Sequence, residues 1–226
     1  MVEIKGFLET SFLDWPGKIC AVLFLPGCNF RCPYCHNHPL IFHPEQFASI
    51  PLEAVLSRLR SFEGWLDGVC LTGGEPTLHS DLPFLIHRFR ERGWAIKLDT
   101  NGSNPDMLET LIGKGEIDFI AMDVKAPLDP FSYRRATGCS IDLTPILRSI
   151  EIMRRGLVEY QFRMTVVPQL HGEEEIQTLA KQLRVGERLV LQNFNPENSL
   201  DGALRKTIPY DSTFLKEMER RVQTLL

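Results

Sequence analysis

The chain predicts an α/β fold built on a parallel sheet, and two observations carry that expectation. Short, continuous apolar runs of strand length alternate with segments of helical period, six times over. The residues equipped for chemistry fall directly after those runs, where parallel α/β architectures bind their ligands.

Each element has a local reason. Residues 19–25 are apolar without interruption, as in a strand covered on both faces. Residues 52–62 repeat apolar side chains at Leu52, Val55, Leu56 and Leu59, one face of a helix. A strand over 68–72 ends at Gly73-Gly74, and an amphipathic helix follows over 81–92, with Pro83 tolerated in its first turn. Residues 94–98 form a strand ended by Thr100-Asn101-Gly102, and 105–112 a helix stopped by Gly113. The strand over 117–122 gives way to Asp123-Val124-Lys125-Ala126-Pro127. A helix over 144–154 takes Thr144 as N-cap and Pro145 as its first helical residue. Strand 158–167, helix 173–183, strand 188–192 and a closing helix over 212–225 complete the series. Residues 38–49, rich in His, Pro and Phe, read as an ordered loop. Six βα units are too few for a closed eight-stranded barrel, which leaves an open twisted sheet or a partial barrel. No repeat, low-complexity stretch or linker divides the chain, so residues 1–226 are expected to form one domain.

Composition bounds the function. Hydrophobic residues at 43% and charged residues at 24% are ordinary for a soluble globular protein. A net charge of −4 argues against nucleic acid as the main partner. No apolar run approaches the roughly 18 residues of a membrane span. The opening Met1-Val2-Glu3-Ile4-Lys5 lacks the basic and then apolar pattern of a signal peptide. The expected location is the cytoplasm, where thiols stay reduced and can bind metal.

The chemistry is densest at Gly27-Cys-Asn-Phe-Arg-Cys-Pro-Tyr-Cys-His-Asn37, where Cys28, Cys32 and Cys35 stand in a Cys-x3-Cys-x2-Cys spacing. A [4Fe-4S] cluster is normally held by four thiolates. Held by three, it keeps one iron open to a ligand. Tetrahedral zinc would need a fourth N or S donor, for which His36 or His38 is at hand, but adjacent ligands on so tight a loop are strained. Six cysteines in a chain of this length are too sparse for a disulfide framework. Cys20, Cys70 and Cys139 read as structural, the first two as small core residues in apolar strands.

This spacing, with Tyr34 before the last cysteine, resembles the radical S-adenosylmethionine (SAM) enzymes. The resemblance implies the partial (β/α)6 barrel, with parallel strands inside and helices outside. It also implies a [4Fe-4S] cluster on Cys28, Cys32 and Cys35, with SAM chelating the open iron. One electron then cleaves SAM to a 5′-deoxyadenosyl radical. The cofactor carries the hard chemistry, and the protein supplies placement and shielding.

Other segments are expected on the same rim. Thr72-Gly73-Gly74-Glu75 resembles the family's Gly-Gly-Glu segment, which takes the amino group of SAM; read by itself, it is a Gly-Gly turn with an acid near a helix start. By resemblance to glycyl-radical-enzyme activases, Asp99, Thr100 and Asp123 hold a monovalent cation near the SAM carboxylate, oxygen ligands suiting a hard cation, and Lys125 pairs with that carboxylate. A plain turn and a surface ion pair are the alternatives. Arg163 and Gln192 are candidates for carboxylate or ribose, and Tyr34, His36 and Asn37 for framing the cofactors.

The stretches Ser11-Phe-Leu-Asp-Trp-Pro-Gly-Lys18 and Leu23 to Asn37 resemble the activating proteins of anaerobic ribonucleoside-triphosphate reductase, within a group that includes the pyruvate formate-lyase activator. The implied partner is a glycyl radical enzyme, and the implied reductant a flavodoxin or ferredoxin. No extra Cys-x2-Cys pairs mark an inserted ferredoxin-like module. The alternatives are a small-molecule enzyme such as 7-carboxy-7-deazaguanine synthase, or, outside the enzymes, an iron–sulfur redox partner. A redox carrier has no use for a SAM pocket.

Overall fold

The computed structural model describes residues 2–226. Seven strands lie in the order of the chain: β1 (Gly6–Ser11), β2 (Cys20–Leu25), β3 (Gly68–Gly73), β4 (Ala95–Thr100), β5 (Phe119–Asp123), β6 (Glu159–Val166) and β7 (Leu189–Asn193). β1 runs antiparallel to β2, and every other pairing is parallel. Sequential order means that the chain winds one way only, so the crossover helices cover one face. The opposite face curls into an interior. β1 and β7 are the two edges, so the sheet stays open. Among the described residues no helix is long and apolar enough to cross a membrane.

Strand alternation separates two apolar clusters. Ala21, Leu23, Leu25, Val69, Leu71, Ile96, Leu98, Ile120 and Met122 join the helices in the large core. The helices are α1 (His38–Phe42), α2 (Leu52–Leu59), α3 (Leu82–Arg90), α4 (Pro105–Gly113), α5 (Pro130–Thr137), α6 (Thr144–Met153), α7 (Glu173–Gln182) and α8 (Ser212–Leu225). The second cluster fills the interior with Cys20, Val22, Cys70, Phe119 and Ala121 around Trp15.

Trp15 closes the N-terminal end of the barrel. Ser11 pairs with Cys20, so the end of β1 lies at the start of β2, away from the strand tips. There the Ser11 hydroxyl accepts from the Leu13 and Asp14 amides and donates to the Asp14 carboxylate at 2.5 Å, bending the chain back. Trp15 enters at 2% exposure, 6.2 Å from the Phe119 ring, with the Lys18 ammonium over its face. The stretch that most resembles the reductase activators therefore packs the barrel floor.

The differences from expectation are local. β1 carries no continuous apolar run; its residues read Gly-Phe-Leu-Glu-Thr-Ser, an edge strand exposed at Leu8, Glu9 and Thr10. The loop expected over 38–49 contains α1 and a 3₁₀ turn at Pro44–Gln46. α5 was not expected, although Asp129 caps it on the Phe131 and Ser132 amides and Gly138 ends it in the left-handed region. The cap of α6 falls on Leu143 rather than Thr144, because Asp142 takes the Thr144 amide at 2.9 Å.

Trp15→Ala is expected to cost about 3–5 kcal/mol, read as a lowered urea midpoint. Leu13→Ser, at a position 93% exposed, should leave the midpoint where it is.

Candidate functional site

The cysteine loop leaves the tip of β2 and is clamped from several sides. The Gly74 amide donates to the Leu25 carbonyl and the Glu75 amide to the Gly27 carbonyl, each at 2.8 Å. The Asn37 side chain donates to the Gly73 carbonyl at 2.8 Å. Arg31 donates its amide to Thr137 at the end of α5. From the segment after β7, the Asp201 amide reaches the Pro33 carbonyl at 2.8 Å, and the Asn195 carbonyl meets His36 Nε2 at 2.5 Å. Only glycine allows this approach at residue 74, where a Cβ would stand 1.8 Å from the Gly27 oxygen; Gly73 adds a φ of +109°.

A cavity of about 410 Å³ opens beneath the loop. All the expected site residues line it: Cys28, Cys32, Tyr34, Cys35, His36 and Asn37 from the loop, Thr72, Gly73, Gly74 and Glu75 at the tip of β3, and Asp99, Thr100, Asp123, Lys125, Arg163 and Gln192 from the later strands and their tips. Burial pushes the Cys28 thiol up to about 11 and the Cys32 thiol up to about 12, with the Lys125 charge pulling the other way. Such thiols stay protonated until a metal with its own charge displaces the proton.

Glu75 is 1% exposed. Its carboxylate accepts from the Thr77 amide and hydroxyl, the Thr100 hydroxyl and the Asn101 amide. Burial raises its pKa while these donors oppose the rise. The side chain thus braces the β3 tip against the β4 tip. Arg163 bridges two carboxylates, donating to Asp123 at 2.8 Å and to Asp99 at 3.0 Å. Lys97 also pairs with Asp99, and Lys125 with Asp123 at 3.0 Å. Burial works against ionisation of Asp123, yet Arg163 and Lys125 hold its carboxyl well below the usual range. Asp123 in turn holds Lys125 protonated against the cost of its burial.

Sequence reasoning passed over several cavity neighbours. Asn101 donates to Asn29 at 2.9 Å, tying the β4 tip to the cysteine loop. Lys97 shares the interior face of β4 with Asp99, and its two-residue spacing was the available signal. His171, 1% exposed, accepts the Val167 amide on Nδ1 and packs edge-on against Tyr34.

A profile of the radical SAM superfamily matches residues 22–183, and the chain belongs to that superfamily. Within it the chain groups with the glycyl-radical enzyme activating enzymes. It is 34% identical over 208 residues to a Methanocaldococcus jannaschii protein assigned to them, across 90% of this chain and 84% of that one. It is 27% identical to the pyruvate formate-lyase-activating enzyme of Clostridium pasteurianum, across 100% of this chain and 99% of that one. Among solved structures, Streptococcus suis SuiB bound to S-adenosylmethionine superposes with a TM-score of 0.61 at 19% identity, over 89% of this chain and 48% of that one. The chain spans about half of that larger protein, and the likeness shows a shared fold.

The donor set fits the superfamily's [4Fe-4S] cluster with one iron left without a protein ligand. Three thiols line the cavity, while Cys20 and Cys70 are buried in the interior below and Cys139 packs against the outside of the loop. Among the described residues no three His, Cys, Asp or Glu side chains converge to hold a single metal ion. His36, a candidate fourth zinc ligand, is engaged by Asn195.

Gly74→Ala is expected to cost roughly 1–3 kcal/mol through overpacking and to lower the iron bound after reconstitution. A second test uses pH. Burial pushes the His171 imidazole from 6.5 down to about 4, so between those values the unfolded chain binds a proton there that the folded chain refuses. Stability of the cluster-free chain should fall as pH drops through this window, by up to about 3 kcal/mol from this group, and its contribution should level off below. Urea midpoints of His171→Phe should lose that component of the slope.

Proposed function

We propose that this radical SAM enzyme cleaves SAM to make a 5′-deoxyadenosyl radical that removes an α-hydrogen from a glycine of a partner glycyl radical enzyme. The observation that carries the reading is the gathering of three thiols, a glycine-walled turn and a buried array of cations around one cavity. In this reading Cys28, Cys32 and Cys35 hold the cluster, which when bound supplies the electron for SAM cleavage. Gly73 and Gly74 wall the methionine end of SAM. Lys125 has three N–H donors and, among the described residues, one hydrogen-bond partner for its ammonium, Asp123, so it has donors left for the SAM carboxylate. Arg163 positions Asp99 and Asp123, and Gln192 faces the ribose. Asp99, Thr100 and Asp123 offer oxygen ligands to a monovalent cation near the SAM carboxylate.

The partner we favour is anaerobic ribonucleoside-triphosphate reductase, on the resemblance of Ser11 to Asn37. A sheet left open between β1 and β7 suits entry of a glycine-bearing loop from another protein. The electron is assigned to a flavodoxin or ferredoxin, and the setting to the cytoplasm.

The test is anaerobic. The reconstituted, reduced chain is mixed with SAM and the reductase of the same source, and the EPR spectrum is recorded. A glycyl radical doublet that depends on this chain is expected, and Cys28→Ala, Cys32→Ala or Cys35→Ala should abolish both the doublet and 5′-deoxyadenosine. Full activity in any of the three would sink the ligand assignment. 5′-Deoxyadenosine without a doublet would reject the reductase as partner.

A further inference from the structure

Lys97 is a fully buried cation that neither the thiols nor the glycine chemistry uses. Its residue is 0% exposed, its ammonium pairs with Asp99, and Cys70 Sγ lies 3.6 Å away. On the interior of the barrel it begins a continuous ladder: Lys97 to Asp99, Asp99 to Arg163, Arg163 to Asp123, Asp123 to Lys125. The register explains the ladder. Lys97 and Asp99 alternate onto one face of β4, while Asp123 sits directly beside Arg163 across β5 and β6. Within the ladder three cations stand against two carboxylates, one cation in surplus among the bonded groups. Glu75, the other buried acid nearby, keeps its own charge among the uncharged donors of Thr77, Thr100 and Asn101 and bonds no member of the ladder.

A surplus charge held away from water is costly unless something answers it. The ladder has one end in the interior at Lys97 and the other at the cavity wall at Lys125. Because Lys97 answers Asp99 from below, Arg163 is shared between both carboxylates, and Lys125 is left with less than a full counter-charge. The chemistry that completes such an end is a ligand carboxylate.

We propose that Lys97 is a positioning residue for the SAM carboxylate, acting through Asp99 and Arg163 to keep the Lys125 ammonium in charge surplus at the cavity wall. The assignment rests on the SAM reading above and goes beyond it: it names a residue that never touches the ligand as a determinant of which part of the ligand is recognised.

The experiment is a binding measurement on the cluster-loaded chain, with SAM and with methylthioadenosine, which keeps the nucleoside and has no carboxylate. Lys97→Met keeps the length and removes the charge, making the ladder neutral. Its dissociation constant for SAM should rise by roughly tenfold, about 1.4 kcal/mol, while that for methylthioadenosine stays within about twofold of wild type and the iron content is unchanged. Equal weakening of both ligands would reduce Lys97 to a packing role and overturn the proposal, as would unchanged SAM affinity. If Lys97→Met does not fold, Lys97→Gln, which removes the charge and keeps a polar contact with Asp99, replaces it. Its preference for SAM over methylthioadenosine should fall as for Lys97→Met, and an unchanged preference would overturn the proposal. Failure of the wild-type chain to bind SAM would instead fell the functional reading, and this one with it.

Discussion

The amides of Gly74 and Glu75, bonded to the Leu25 and Gly27 carbonyls, hold the working end of this protein together. They fasten the root of the cysteine loop to the neighbouring strand tip with backbone alone, at a separation that excludes any Cβ on residue 74. The position of the three thiols relative to the cavity follows from that contact. So does the course of the loop as far as Asn37, whose side chain returns to Gly73. Glu75 then extends the clamp one strand further by collecting donors from Thr77, Thr100 and Asn101. A Gly-Gly-Glu segment is thus a structural fastener between adjacent tips as well as a cavity wall.

Most of this architecture was legible in the chain. The parallel strands announce themselves as short, largely apolar runs, and the glycines, asparagines and prolines that end them mark the tips. Once the strands are placed, the site residues follow, since a parallel sheet puts all its tips on one rim; Asp99, Asp123 and Arg163 needed no further information to be brought together. The choice between an open sheet and a partial barrel was different in kind. It depends on the twist accumulated over six strands, which no local pattern encodes, and it came from resemblance to a family.

What escaped notice did so for physical reasons. β1 is an antiparallel edge exposed at Leu8, Glu9 and Thr10, so its residues look like an ordinary polar stretch. α5 is eight residues long and carries two arginines and a serine on its exposed side, which dilutes the period. Lys97 sits in a strand that reads as apolar, and a lysine there is easily taken for a solvated end. Its burial is intelligible only when Asp99, two residues on, and Arg163, on a different strand, are seen to share the interior with it.

The Trp15 plug has a consequence for how such a chain diversifies. Because the floor is sealed by one indole held in a side-chain-bonded turn, and the thiols and charges stand at the opposite ends of the strands, folding robustness and reactivity are set by separate sets of residues. Selection can retune the rim for a new partner without reopening the question of whether the barrel forms. It can also harden or soften the barrel at Ser11 to Lys18 without disturbing the reaction.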